Sequence, residues 1–515
     1  MLIEKMAKKA LLLGVDFGTG GCKITVIDDS GYIKAEATRE YPTYHPEQNS
    51  SEQNPEDWFE AFKQSLKEVS ESGKVNLNDL QGISLDASTH NVVLLDKSNK
   101  IIRPTIMWTD QRSIKEVAYL EENYGEKIFD VCFQKVAPTW TLPQLLWIKN
   151  NEPENYKKIK KIMFIKDYIR FLLTGSWETD YIDAQGTLFF DMRKMKWSEE
   201  LCAIIDLDLN VLPPLCNPFD VVGEISEEAS KITGLPSGIP VICGSSDSAV
   251  EDYGAGAIEP GQCILKLATA GNVNVMTEKP YPSLFTLTYS HIVPDMWYTV
   301  AATNTAASSM RWFRDVFCER ETGVSRNKKI NIYSLAEEMV ALIPAGSEGL
   351  IYHPYLLGER SPYWDPFLRS SFTGATMNHR KPHFLRALME GVAFSLKDCY
   401  RVIEDMKLKV KEFIIIGGGS RSNVWCQIVS DVFSHDIIKP SVSDASYGAA
   451  IIAGVGIGLF SDLKEAVKKC NRIEKVYRPN KENSNIYKKL FKIYLEIHDR
   501  LKDIYRNLNN ILRSS

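Results

Sequence analysis

LLLGVDFGTGGCKITVIDD, residues 11–29, decides the fold. An apolar run reaches Val15, an acidic residue follows at Asp16, and the small residues Gly18, Thr19, Gly20 and Gly21 precede a second β-like run, KITVIDD. This pattern predicts two strands joined by a Gly/Thr turn, a hairpin. Such a turn can hold phosphate, because glycines let backbone N–H groups converge on an anion and a threonine hydroxyl adds a donor. Asp16 cannot face the phosphate directly, since two anions repel. A Mg²⁺ ion between them, held mostly through water, removes the conflict. The plainer alternative is a β-turn whose aspartate caps its own backbone. Two familiar phosphate motifs are absent. Lys23 lacks the G-x-x-x-x-G-K-[ST] spacing, and ITVIDD continues as strand where G-x-G-x-x-G would run into a helix.

The pattern recurs in IPVICGSSDSAVEDYGAGAIEPGQCILKLATAGNVNVMTE (239–278), where VICG reads as a strand and ILKL-ATAG-NVNVM as a second hairpin. Two such hairpins about half a chain apart predict two related domains facing each other across a cleft, with a boundary near residue 256. The expected division is 1–256, 257–480 and a terminal helix over 481–515. FIIIGGGSRSNVWCQIVSDVF (413–433) adds a buried strand, a triple-glycine turn and a helix, and DASYGAAIIAGVGIGLF a helix of small residues. With the second turn and the triple glycine added, the balance favours nucleotide binding over plain turns. NPEDWFEAFKQSLKEV (54–69) carries Asn54 as N-cap and Pro55 in the first turn of a helix. In the tail, Tyr487, Tyr494, Leu501 and Leu508 recur at steps of seven, which fits a terminal helix packed on the second domain; a dimerising coiled coil is the alternative.

At 515 residues the chain exceeds one ordinary core. A formal net charge of −5 and the lack of a Lys/Arg-rich block argue against a nucleic-acid partner. The ten cysteines show neither C-x-x-C nor zinc spacing, so they read as reduced thiols of a cytoplasmic protein. ALLLGV is too short for a signal-peptide core. AAIIAGVGIGLF (449–460) is too short to span a bilayer and reads as a closely packed helix, so no membrane partner is expected.

VDFGTGGCK (15–23), IMWTDQR (106–112), TLPQLLWI (141–148), IKDYIRFLLTG (165–175), CGSSDSA (243–249), LATAG (267–271), PYLLGERSP (354–362), FTGATMNHRKPHFLRALMEGVAFSL (372–396) and IIGGGSRSNVWCQIVSDV (415–432) occur in an order that resembles the FGGY family of carbohydrate kinases. The resemblance runs from about Leu11 to about Phe460. It implies an α/β fold of two actin/hexokinase-like (ribonuclease H-like) domains closing on ATP and a sugar, and a homodimer. It puts Gly18, Thr19 and Gly20 at the phosphates with Asp16 near the magnesium. It puts Thr269, Ala270 and Gly271 in the second phosphate turn, and Gly418, Gly419 and Asn423 on the adenosine side.

The family's catalytic base falls on Asp247, which follows the strand VICG in a Ser/Ala-rich turn; read without the family it is a helix cap. A carboxylate of ordinary basicity suits that role, because an alcohol loses its proton mainly as the O–P bond forms. Ser248 stands beside it on the substrate side. In xylulose-type members a Met-His pair touches the sugar; here His90 remains, with Thr89 in the Met position. His90 reads equally as a loop histidine donating to backbone. Trp108 and Asp110 fall where the family's sugar pocket has its Trp and Asp, with core packing as the alternative for Trp108. Departures are Gln144 for a family lysine, ATAG for GTSG, which puts Ala268 in place of a glycine, and Ser245, Ser246 and Ser248 where xylulose enzymes tend to have Gly and Asn. The expected activity is ATP-dependent phosphorylation of a small sugar hydroxyl, D-xylulose first. The alternatives are gluconate or another pentulose or polyol, an actin-like ATPase without a sugar, and a sugar-binding regulator without chemistry.

Overall fold

The opening stretch forms strands β1 (Leu11–Gly18) and β2 (Gly21–Asp28), antiparallel in register from Leu11 opposite Asp28 to Gly18 opposite Gly21, with Thr19 and Gly20 as the turn. The computed structural model describes residues 10–319, 321–322 and 332–514. The chain divides into two units. The first runs to Ile258 and includes Tyr289–Met296 and Val442–Asn471; the second comprises Glu259–Thr288, Trp297–Ser441 and the chain from Arg472.

In the first unit, β3 (Ile33–Glu40) continues the antiparallel meander, while β4 (Leu80–Ala87) lies parallel to β1. An antiparallel edge strand, β5 (Val221–Glu224), and β6 (Pro240–Ser246), parallel to β4, complete a sheet of order β5-β6-β4-β1-β2-β3. β1 is almost wholly buried because both faces are covered, which is why its sequence shows no polar alternation. Leu11, Leu13, Val15 and Phe17 join a core with Trp58, Phe62 and Leu66 of the helix Pro55–Glu71. Asn54 stands at that helix's N-cap position, but its side chain makes no capping bond. On the other face the helix Ala445–Gly456 lies so close that a Cβ on Gly14 would sit 1.8 Å from the Ser446 carbonyl oxygen and 2.4 Å from the Ala450 nitrogen. The same helix crosses the helix Asp247–Gly254 at Gly448, where a Cβ would stand 2.2 Å from the Val250 carbonyl oxygen. The small residues of 445–456 are thus what two close backbone approaches require. A single boundary near residue 256 puts this helix with the second domain, whereas its packing puts it in the first unit.

The second unit repeats the plan. β7 (Gln262–Leu267) and β8 (Gly271–Thr277) form the second hairpin. With β9 (Leu287–Ser290), β10 (Trp297–Ala302), β11 (Glu412–Ile416), β12 (Ile437–Pro440) and β13 (Ile473–Tyr477), the order is β9-β10-β8-β7-β11-β12-β13. As in the first unit, an antiparallel meander is followed by two parallel strands and an antiparallel edge. The helix Lys381–Asp405 supplies much of the core. The terminal helix Lys481–Ser514 buries Tyr487 and Tyr494 against that core, Tyr494 stacking on His353 at 4.1 Å between ring centroids. Farther along, Leu508 is 51% exposed, so the seven-residue series is buried only in its first half. Among the described residues no helix is long and apolar enough to cross a membrane.

Candidate active site

Parallel pairing of β1 with β4 sets Asp16 directly beside Asp86 at the strand ends. Burial first, then the nearby Asp247 and Asp444 carboxylates, pushes the Asp16 carboxyl well above the usual carboxylate range. Burial and Asp16 do the same to Asp86. Asp16 Oδ1 and both Asp86 oxygens are buried with no hydrogen-bond partner. Two buried carboxyls that have only each other, beside the Gly/Thr turn, fit a bound divalent cation, which would satisfy those oxygens. Among the described residues no three His, Cys, Asp or Glu side chains form a ready-made metal cage. In the turn itself Gly20 is open, since a Cβ there would meet nothing within 4 Å. The Thr19 carbonyl accepts from Gln53 Nε2 at 2.8 Å, and the Gly18 carbonyl accepts from the Tyr41 hydroxyl.

Asp247 is the first residue of its helix, directly after β6, and is half-buried. Its Oδ1 accepts from the Ser248 backbone N–H at 2.6 Å, the Ser248 hydroxyl at 3.3 Å and the Thr89 hydroxyl at 3.4 Å. The structure therefore brings Thr89, Asp247 and Ser248 together and fixes the carboxylate's orientation. A carboxylate at a helix N-terminus also meets the positive end of the helix dipole.

The other residues expected on the sugar side differ in character. Trp108 is half-buried and donates Nε1–H to the Thr19 hydroxyl at 3.0 Å, joining its loop to the Gly/Thr turn of the first hairpin. Asp110 is buried and accepts from Ser51 N at 2.6 Å, Arg112 N at 2.8 Å and Arg112 Nε at 2.9 Å. His90 is buried with a left-handed backbone (φ 53°); its Nε2 lies 3.0 Å from Thr139 Oγ1 and its ring 4.9 Å from Trp140. Burial lowers its pKa to about 3, so the imidazole is neutral. Gln144, which stands in for the family lysine, is buried and donates to the carbonyls of Met107, Pro138 and Thr139.

In the second unit the two glycine turns meet. A Cβ on Gly417 would stand 2.7 Å from the Leu267 carbonyl oxygen and 3.1 Å from the Ala268 nitrogen. Thr269, Ala270 and Gly271 therefore share one neighbourhood with Gly418 and Gly419, of which Gly418 is exposed with open space around it. Asn423 is exposed at the start of the helix Asn423–Phe433, its Oδ1 accepting from the Tyr477 hydroxyl at 2.7 Å and Lys475 Nζ at 3.0 Å. Sequence reading missed Arg311, whose Nη2 donates to the Thr269 hydroxyl at 3.0 Å. No local pattern announces that the helix Ala307–Phe317 docks on this turn. It also missed Asp86, although an aspartate closing the apolar strand LQGISLD, as Asp16 closes LLLGV, was a readable signal.

Models of the FGGY family of carbohydrate kinases match residues 11–254 with the family's N-terminal domain and 266–457 with its C-terminal domain. The xylulose kinase of Bacillus subtilis is 32% identical, the match covering 98% of this chain and 99% of that one. The gluconokinase of the same organism is 28% identical with 98% of each chain covered. The crystal structure of xylulose kinase from Rhodospirillum rubrum superposes with a TM-score of 0.86 at 26% identity, over 96% of this chain and all of that one.

Proposed function

The chain belongs to the FGGY family of carbohydrate kinases, with that family's two-domain α/β, actin-like fold, and from that premise we propose that it phosphorylates D-xylulose to D-xylulose 5-phosphate with ATP. The observation that carries the catalytic part of this reading is the Asp247 carboxylate, held at the head of its helix by Thr89 and Ser248. Asp247 takes the proton of the attacking hydroxyl as the O–P bond forms; donors that fix its orientation before substrate arrives lower the cost of doing so. Thr89, Ser248 and Trp108 face the sugar, with His90 and Asp110 holding the loops that carry them. Gly18, Thr19 and Gly20 bind phosphate, as do Thr269, Ala270 and Gly271, while Gly418, Gly419 and Asn423 meet the adenosine. Asp16, with Asp86 beside it, would hold magnesium, which supplies charge neutralisation at the phosphates when bound.

Xylulose leads because the Bacillus subtilis xylulose kinase shares more identity with this chain, 32%, than the gluconokinase of the same organism, 28%. Gluconate is the second reading, favoured by the gluconokinase match over 98% of the chain and by THNVVLLD and WTDQR, which also resemble gluconate-type members. The test is a coupled ADP assay across ketoses, polyols and aldonates, read as kcat/KM ratios. D-xylulose should give the largest value, and Asp247→Ala should lower sugar-dependent turnover by about 10²–10⁴-fold. A larger kcat/KM for gluconate would replace the substrate assignment. Steady ATP hydrolysis indifferent to every sugar, or an Asp247→Ala enzyme with near-normal turnover, would overturn the catalytic reading.

A further inference from the structure

All ten cysteines are described, and nine are buried; Cys216 alone is partly accessible. Its thiol donates to Cys243 Sγ, with the two sulfurs 2.8 Å apart, inside ordinary sulfur–sulfur contact. The approach is built into the backbone. Cys243 lies on β6, and Cys243 N and Gly244 N donate to the carbonyls of Asp220 and Pro218 at 2.9 and 2.8 Å, which stitches the strand to the segment just after Cys216. A buried guanidinium completes the arrangement. Arg170 donates Nη1–H to the Cys243 carbonyl at 2.6 Å and lies 3.6 Å from Cys243 Sγ. Nothing in the kinase reading uses these sulfurs.

We propose that Cys216 and Cys243 are a redox modification site, a dithiol that a hydroperoxide converts reversibly into a disulfide. Cys216, the accessible sulfur, attacks the peroxide; the O–O bond breaks, one water leaves with the thiol proton, and Cys216 becomes a sulfenic acid. Cys243 then attacks the Cys216 sulfur, forming the S–S bond as the S–O bond breaks. The departing hydroxide takes the Cys243 proton and leaves as a second water. Two thiols and one hydrogen peroxide thus give one disulfide and two waters, each sulfur supplying one of the two electrons the peroxide accepts. A small dithiol such as dithiothreitol reverses the reaction by exchange. The bond would tie down β6 three residues before Ser246 and four before Asp247, with no partner other than residues already in contact.

The test uses the full chain in its native state. Hydrogen peroxide is added at a dose that oxidises half of a free dithiothreitol control, and the protein is then quenched, unfolded and alkylated. The expected result is that two of the ten cysteines escape alkylation, that peptide mapping finds Cys216 joined to Cys243, and that dithiothreitol restores both. Cys216→Ser should leave Cys243 fully alkylatable under the same treatment. Ten alkylated cysteines, a Cys216 that stops at sulfinic or sulfonic acid, a bond to any other cysteine, or Cys243 oxidised in Cys216→Ser would each overturn the proposal. Because the decisive arm is the unmutated chain, a variant that fails to fold does not rescue it.

Discussion

Gly14→Ala tests the packing on which the first unit rests. The new methyl would begin 1.8 Å from the Ser446 carbonyl oxygen and 2.4 Å from the Ala450 nitrogen, both backbone atoms of one helix, so no rotamer change relieves it. The helix Ala445–Gly456 must retreat by about 1.2 Å merely to reach the closest approach that real Cβ atoms make. Overpacking of this kind costs about 1–3 kcal/mol. The retreat also strains the buried Thr25–Ser446 hydroxyl pair, 2.7 Å apart and worth about 1 kcal/mol. It strains the Lys23–Asp444 ion pair too, whose side chains are 27% and 26% exposed and which adds at most about 1 kcal/mol after screening. The expected loss is about 4 kcal/mol, a large part of the roughly 5–15 kcal/mol that holds a typical domain. Urea unfolding followed by tryptophan fluorescence, compared at unchanged m-value, measures it. Gly20→Ala in the same hairpin is the control, since a Cβ there meets nothing within 4 Å. Its stability should stay within about 0.5 kcal/mol while KM for ATP rises several-fold. A Gly14→Ala midpoint indistinguishable from wild type, or a Gly20→Ala protein that loses more stability, would refute the reasoning.

Burial pushes the Glu359 carboxyl up to about 8, although Asn304 N and Arg360 N donate to Oε1 at 2.7 and 2.9 Å. The folded protein then keeps a proton that the unfolded chain releases near 4.5. Stability should fall as pH rises from that value to about 8, by up to about 5 kcal/mol, and Glu359→Gln should flatten the decline in urea titrations across that range. Trp108→Phe removes the donor to Thr19, so a double-mutant cycle with Thr19→Val, read as kcat/KM, should give a coupling of about 1 kcal/mol. Additive effects would mean the bond is not made in solution. Lys166 is wholly buried, with Nζ 2.7, 2.9 and 3.1 Å from the carboxylates of Asp167, Asp180 and Asp183, so Lys166→Met should cost about 3–5 kcal/mol in urea unfolding.

The strands and their turns were legible because hairpins and buried strands are local: a run of β-branched residues, a small-residue turn, another run. The repetition at 262–277 made the duplicated plan visible for the same reason. What local period cannot carry is partner choice. The helix 445–456 advertises tight packing through its small residues, but not that Gly14, more than four hundred residues earlier, is what it packs on. Arg311 escaped for a related reason, since it matters through the turn at Thr269 on which its helix docks, and the pairing of Asp86 with Asp16 is supplied by the sheet order.

His90 and Asp110 show how a family motif can mark a position without fixing what the side chain does there. Three donors from Ser51 and Arg112 already converge on Asp110, and Arg112 Nη1 also lies 2.7 Å from Glu52, so this carboxylate organises the loop that begins at Trp108. His90 is buried, neutral and beside Trp140, while its chain neighbour Thr89 turns a hydroxyl toward Asp247. On the kinase reading, discrimination between sugars then rests on Thr89 and Trp108, which are half-buried, rather than on the buried pair behind them. Thr89 also donates to Asp247, the base on that reading, so the residue that replaces the family's methionine would change the shape of the substrate side and the hydrogen bonding of Asp247 together. A Thr89→Met protein should therefore shift the ratio of xylulose to gluconate kcat/KM and lower kcat for both, because it removes one donor from the carboxylate that must accept the proton. If the ratio moves while kcat does not, Thr89 contacts only the sugar and the 3.4 Å bond to Asp247 has no part in turnover.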